Sequence, residues 1–158
     1  MQKITPFMWF DGQAEEAIRL YTSVFKNAKI IRINYWGEGT PFPKDKVKTG
    51  EFEIDGQRFY AFDAGPEFKF NEAISFMVNC ENQEEVDHYW NKLTSDGGHE
   101  SQCGWLKDKF GVSWQITPKQ LMELMADKDT AKAGRVMQAM MKMKKIIIAD
   151  LEKAAAAK

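Results

Sequence analysis

Few side chains in this chain are of a type that does chemistry, and their spacing decides between a reactive site and a passive cavity. The two histidines, His88 and His99, lie on a helical stretch and beside Gly97-Gly98, away from the strands that could floor a site. Cys80 and Cys103 have no partner at metal-ligand spacing and form no disulfide framework, so both read as free thiols. Cys103 precedes Gly104-Trp105 without a base nearby, which favours a structural thiol over a nucleophile. Ser75 and Gln115 are polar positions in otherwise apolar strands, where a side chain either contacts a ligand or closes a core hydrogen bond. Asp63 ends a strand before Ala64-Gly65-Pro66, the place of a turn residue or of a carboxylate at a site. Asp108, ahead of Lys109-Phe110-Gly111, reads as turn chemistry. Trp9, Trp36, Trp105 and Trp114 fall in apolar stretches, where rings build a core or line a cavity.

The elements that would position these residues come in two copies. Phe7-Met8-Trp9-Phe10 leads into Glu15-Glu16 and Leu20-Tyr21; shifted by 69 residues (position 7 to position 76), Phe76-Met77 leads into Glu84-Glu85 and Tyr89-Trp90. Each reads as a strand followed by an amphipathic helix, with Ala14, Ala17, Ile18, Tyr21 and Phe25 on one face of the first and Val86, Tyr89, Trp90 and Leu93 on one face of the second. Asn82 with Glu85 has the form of a capping box. Gly56-Gln-Arg-Phe59 matches Gly111-Val-Ser-Trp114 at an offset of 55 (position 56 to position 111), so the second copy has the shorter middle. Asp55-Gly56 between apolar runs signals a hairpin.

The spacing predicts strand 4–10, helix 13–25, strands 28–36, 48–54 and 57–63, then strand 73–80, helix 83–95, short strands near 99–108 and strand 112–117. Thr117 as N-cap, Pro118 at the first helical position and Gln120 then open a short helix. From Asp129 or Thr130 a longer helix is predicted to reach about Leu151, with Val136, Met140, Met143, Ile147 and Leu151 as its apolar stripe. Its methionines and lysines fit packing on its own domain or a dimer mate better than a membrane surface. The pattern predicts an α+β chain: a single domain of two tandem βαβββ modules (about 4–65 and 73–117), plus C-terminal helices (about 118–152).

Composition narrows the function classes. The 158 residues carry a formal net charge of −1, with 44% hydrophobic, 28% charged and 13% aromatic residues, ordinary for a globular protein except for the wealth of rings. That balance offers no electrostatic footprint for nucleic acid. MQKITPFMWF lacks the apolar core of a signal peptide, and no apolar run approaches the ~20 residues that span a bilayer. No membrane association, no nucleic-acid partner and a cytoplasmic location are therefore expected.

Three long stretches carry a family resemblance: ITPFMWFDGQAEEAIRLYTSVF, FDAGPEFKFNEAISFMVNCENQEEVDHYW and CGWLKDKFGVSWQITP. They resemble, in order, the PhnB-like family catalogued as 3-demethylubiquinone-9 3-methyltransferase, of the glyoxalase, bleomycin-resistance and dioxygenase (vicinal oxygen chelate) superfamily. The resemblance extends from Ile4 to about Leu151. It implies paired modules forming a cupped mixed sheet that encloses a cavity, a homodimer, and, in the superfamily's metal enzymes, one ligand on the first and one on the last strand of each module. Carried onto this sequence, those positions fall at Pro6 (with Thr5 as neighbour), Tyr60, Ser75 and Gln115.

Proline offers no side-chain donor, serine and tyrosine are poor neutral ligands, and one amide oxygen does not hold a transition metal. No metal and no cofactor are expected. The methyltransferase description finds no support in the glycines, none of which form the G-x-G-x-x-G turn of a nucleotide-type site. Gly37-Glu-Gly39 runs into Thr-Pro-Phe-Pro, which cannot open the needed helix. Three readings stay open: a metal-free cup binding a small, partly aromatic or apolar molecule; a transferase-type enzyme using Asp63, Ser75, Gln115 or Cys103; and a dimeric interaction module whose cup is filled by rings. The candidate ligand-binding residues are Trp9, Tyr60, Asp63, Ser75, Cys103, Trp105 and Gln115.

Overall fold

The computed structural model describes residues 2–157. The chain divides into two compact units, Met1–Lys69 and Phe70–Lys158. The first contains β1 (Phe7–Phe10), α1 (Ala14–Val24), β2 (Ala28–Tyr35), β3 (Val47–Ile54) and β4 (Gln57–Asp63). The second contains β5 (Phe76–Cys80), α2 (Gln83–Thr94), β6 (His99–Glu100), β7 (Trp105–Lys107), β8 (Ser113–Pro118), α3 (Lys119–Met125), α4 (Thr130–Met140) and α5 (Ile148–Ala156). Each unit has its own four-stranded mixed sheet, in the orders β1-β4-β3-β2 and β5-β8-β7-β6. In both, the first strand lies parallel to the last and the others are antiparallel. The internal repeat is thus a repeat of topology, βαβββ twice.

In the first unit α1 buries Ala14, Ala17, Ile18, Tyr21 and Val24, the face its periodicity requires, and packs on β3, β2 and β4. Met8, Phe10, Phe59, Ala61 and Phe52 meet it from the sheet. Close approach is possible because β3 carries Gly50: a Cβ there would lie 2.3 Å from Ile18 Cδ1. The turn between β3 and β4 has φ of 47° at Asp55 and 80° at Gly56. Two positive values in a row suit a type I′ hairpin, and an Asp-Gly pair adopts it at low cost.

In the second unit α2 buries Val86, Tyr89, Trp90 and Leu93 against β8, β7 and β5. Asn82 caps it by accepting from Glu85 N at 3.0 Å, while Glu85 Oε2 accepts from Glu81 N at 2.9 Å, one residue before the N-cap. The capping box is therefore present with its return bond displaced by one residue.

Two sequence expectations are corrected in the C-terminal helices. The helix predicted from Thr130 to about Leu151 is two helices, α4 and α5, separated at 141–147. Carbonyls in that segment bond outward: Met143 O accepts from Cys103 N at 2.8 Å, Lys144 O from Gly104 N at 2.7 Å and Ile146 O from Gln83 Nε2 at 3.1 Å. Oxygens so engaged are lost to an intrahelical ladder, and the β-branched Ile146-Ile147-Ile148 run suits extended backbone. The break lets fully buried Ile146 join Leu121, Val136, Leu151 and Ala155 in one core. The start of α3 also differs: Pro118 ends β8 and itself occupies the N-cap with ψ of 144°, so Thr117 is not the cap. Gln120 instead donates to Glu81 O at 3.0 Å.

Among the described residues no helix is long and apolar enough to cross a membrane.

Candidate ligand-binding site

Strand alternation separates two faces of the first sheet. One packs on α1; the other carries Phe7 and Trp9 from β1 with Tyr60 and Phe62 from β4, since Phe7 pairs with Tyr60 and Trp9 with Phe62. The rings form a continuous series. Phe7 stacks on Tyr60 (centroids 5.8 Å apart, 16° between planes), and Phe62 takes Phe7 and Trp9 edge-on at 4.9 Å each. Trp9 meets Phe68 edge-on at 4.9 Å. Trp9 is fixed by its indole N–H, which donates to Gly65 O at 2.8 Å. Such pairs contribute about 0.5–1.5 kcal/mol each beyond their buried area. Even so, Phe7 remains 59% exposed and Phe68 61%.

Beside the rings lies a pocket of about 500 Å³ lined by Gln2, Thr5, Gly56, Arg58 and Tyr60. The same face continues onto β3 and β2 with charge. Glu51 pairs in register with Tyr60 on one side and Arg32 on the other. Its carboxylate, nearly buried, accepts from Arg58 Nη1 at 3.1 Å and lies 3.0 Å from Arg32 Nε. Glu51 went unnoticed in the sequence. A lone glutamate in a strand looks like a solvent-facing position until the sheet brings arginines from both neighbouring strands onto it.

The corresponding face of the second sheet carries Ser75, Met77, Gln115 and Trp105. Gln115 lies between Met77 and Trp105 in register and donates from Nε2 to Ser75 Oγ at 2.8 Å. A second pocket in this unit, about 420 Å³, is lined in part by Trp105, Lys107, Ser113, His99 and Glu72.

The pairing registers correct the offset used to transfer positions between modules. Phe7 pairs with Tyr60, whereas Gln115 pairs with Met77 and Phe76 with Trp114. Strand β1 therefore maps onto β5 with a shift of 70, and only the helices keep 69. The difference is one residue of linker: three residues join Phe10 to Ala14, two join Cys80 to Gln83. A one-residue slip turns a strand residue to the opposite face. The counterpart of Ser75 is Thr5, not Pro6, whose carbonyl accepts the ladder bond from Tyr60 N at 2.9 Å.

The structure brings Trp9 and Tyr60 to one face, and Ser75, Gln115 and Trp105 to the equivalent face of the other module. Asp63 does not share the ring face. It is buried on the helix side of β4, where Oδ1 accepts from Ala14 N and Oδ2 from Val47 N, both at 2.9 Å. Its carboxylate thereby caps α1 from across the sheet, replacing Gln13, which forms no side-chain cap. Asp108 is likewise engaged, Oδ1 accepting from Phe110 N and Val112 N and Oδ2 from Trp114 Nε1. Trp36 donates to Asp63 O at 2.8 Å, and Trp114 is buried on the α2 side.

Cys103 lies in a tight turn with φ of 58°, its N–H bonded to Met143 O. Burial, aided by Glu85, pushes the Cys80 thiol up to about 12. A thiol so protonated is a poor nucleophile. At pH 8 a thiol-reactive dye should modify Cys103 alone in the folded protein, and both cysteines after unfolding in urea. Equal rates for both in the folded protein would contradict this assignment.

A sequence model described as 3-demethylubiquinone-9 3-methyltransferase matches residues 2–117. The chain belongs to this family. The putative 3-demethylubiquinone-9 3-methyltransferase, PhnB protein, from Bacillus cereus is 38% identical, with a TM-score of 0.70 over 74% of this chain and 99% of that one. Protein PA1353 from Pseudomonas aeruginosa has the same fold at 22% identity, with a TM-score of 0.62 over 75% of this chain and 98% of that one. The fosfomycin resistance protein FosX from Listeria monocytogenes shares the fold at 14% identity, with a TM-score of 0.58 over 80% of this chain and 98% of that one. The family match and the likeness to the PhnB protein place the chain in the vicinal oxygen chelate superfamily. No protein of curated function matches it significantly. Because the family match ends at residue 117, α3, α4 and α5 lie outside it, which shortens the resemblance first drawn to Leu151.

The metal that the superfamily's enzymes hold does not fit this donor set. The corrected positions are Thr5, Tyr60, Ser75 and Gln115: three neutral hydroxyls, and an amide whose nitrogen is bonded to one of them. Among the described residues no three His, Cys, Asp or Glu side chains group as metal ligands. A divalent transition ion prefers thiolate, imidazole or carboxylate donors. S-adenosylmethionine fits no better on a glycine-rich turn, because neither sheet is doubly wound and each has a single parallel pair.

Proposed function

We propose that this PhnB-like protein is a cytoplasmic homodimer that binds a small, partly aromatic or apolar molecule without a metal, in a carrier or sequestering role. The observation that carries this reading is the ring series of Tyr60, Phe7, Phe62, Trp9 and Phe68, packed and anchored yet open to solvent at Phe7 and Phe68. Exposed apolar surface of this kind is retained where something covers it. Planar ligands gain on such a platform from edge and face contacts. The dimer is supported by Ile4 and Ile74, 85% and 77% exposed beside the first strand of each module, which a second subunit would shield.

Titration with aromatic probes such as naphthalene derivatives should quench tryptophan emission and raise the melting temperature. Phe7→Ala should weaken binding about tenfold, the loss of one or two ring contacts of roughly 0.5–1.5 kcal/mol each. If no aromatic probe shifts the melting temperature at millimolar concentration, the binding reading fails. Turnover of a methyl donor by the purified protein would instead support the transferase that the family description names.

A further inference from the structure

We infer that the ligand carries a single carboxylate, held by Arg58 with Arg32 beside it, while its ring lies on Phe7 and Tyr60. This rests on the reading that the ring face binds a small molecule, and it names the chemical class. The pairing registers place Phe7, Tyr60, Glu51 and Arg32 in one row across β1, β4, β3 and β2. Rings thus occupy half of the face and ionic groups the other half, with the boundary at Tyr60.

Arg58 stands two residues from Tyr60 on β4, about 7 Å at the usual strand rise. A carboxylate attached to a small aromatic ring system lies about 4 Å from the ring centre, and a charge-assisted hydrogen bond of about 2.8 Å from its oxygen to a guanidinium nitrogen spans the remainder. Arg58 and Tyr60 line the same pocket, whose volume of about 500 Å³ suits a ligand of this size.

The charge balance also points to an anion. Glu51 is only 4% exposed and faces two guanidinium groups whose side chains are 53% and 55% exposed. Glu53 adds a second carboxylate, 3.8 Å from Arg58 Nε, but it is 2.9 Å from Lys29 Nζ. Three cations against two carboxylates leave one positive charge on the patch. Each guanidinium has five N–H donors, and Glu51 engages Nη1 of Arg58 and Nε of Arg32, so further donors remain for a planar anion. The buried Glu51 orients both arginines before a ligand arrives, which reduces the ordering cost of binding.

The test is calorimetric titration of the full chain with naphthoate and with its uncharged carboxamide, naphthamide, on wild type, Arg58→Gln and Arg32→Gln. Wild type should bind naphthoate at least tenfold tighter than naphthamide. Arg58→Gln should abolish that preference, and an unchanged circular dichroism spectrum and melting curve would show that the variant is folded. Equal wild-type affinities would overturn the carboxylate assignment while leaving the ring-face reading intact. Binding of neither probe would overturn both. A naphthoate preference that survives in both arginine variants would place the anion elsewhere and overturn the inference.

Discussion

Asp63→Ala is expected to lower the unfolding free energy by about 3–6 kcal/mol, since two hydrogen bonds to a buried carboxylate are worth roughly 1.5–3 kcal/mol each. Both partners are backbone N–H groups, Ala14 N at the start of α1 and Val47 N at the start of β3. The substitution strands them in a buried site, so the loss includes their desolvation as well as the bonds. Asp63→Asn should cost less, because one oxygen remains as acceptor while the amide nitrogen faces a second donor. Urea denaturation followed by circular dichroism measures both. A change below about 1 kcal/mol for Asp63→Ala would show that the carboxylate does not fasten α1 to the sheet, and would return it to the set of potential reactive groups.

Asp108→Ala should have an effect at least as large in the second unit, about 4 kcal/mol or more, because three donors converge on one carboxylate. Oδ1 holds the turn through Phe110 N and Val112 N, and Oδ2 satisfies the indole N–H of Trp114, a 3% exposed ring on β8. Releasing the turn frees the start of β8, which carries Gln115, so the Ser75–Gln115 bond should loosen as well. Asp108→Asn keeps the acceptor for the two backbone groups, but its nitrogen would meet Trp114 Nε1 if the amide keeps that orientation. It should therefore fall between wild type and alanine. A wild-type melting temperature in Asp108→Ala would contradict the role assigned to it.

What was legible in the sequence followed local rules. The buried faces of α1 and α2 were visible from helical spacing, the β3–β4 hairpin from Asp55-Gly56 and the α2 cap from Asn82. The repeat gave the order of elements and hence the fold. What was hidden depended on partners far along the chain. The linker shorter by one residue before α2 slides β5 against β1, so that the counterpart of Ser75 is Thr5, while helix matching alone gives Pro6. The break between α4 and α5 is set by Cys103, Gly104 and Gln83 bonding to the intervening carbonyls, and no helical periodicity registers that.

The candidate site divides in the same way. Trp9 was identifiable as a ring in an apolar strand, Tyr60 only as a position carried over from the family resemblance, and Ser75 with Gln115 as polar breaks in apolar strands that prove to bond each other. Asp63 was visible as a carboxylate at a strand end, yet the two amides it serves lie at Ala14 and Val47. Glu51 gave no signal, since Arg32 and Arg58 become its neighbours only through strand pairing.

The central claim is that a small aromatic molecule binds on the ring face without help from a metal. The direct measurement is calorimetric titration of chelator-treated protein with naphthoate, repeated after adding one equivalent of zinc, nickel or manganese per chain. Saturable binding to the chelated protein is expected, unchanged within twofold by any of the three ions and weakened about tenfold by Phe7→Ala. Binding that occurs only after an ion is added would contradict the claim.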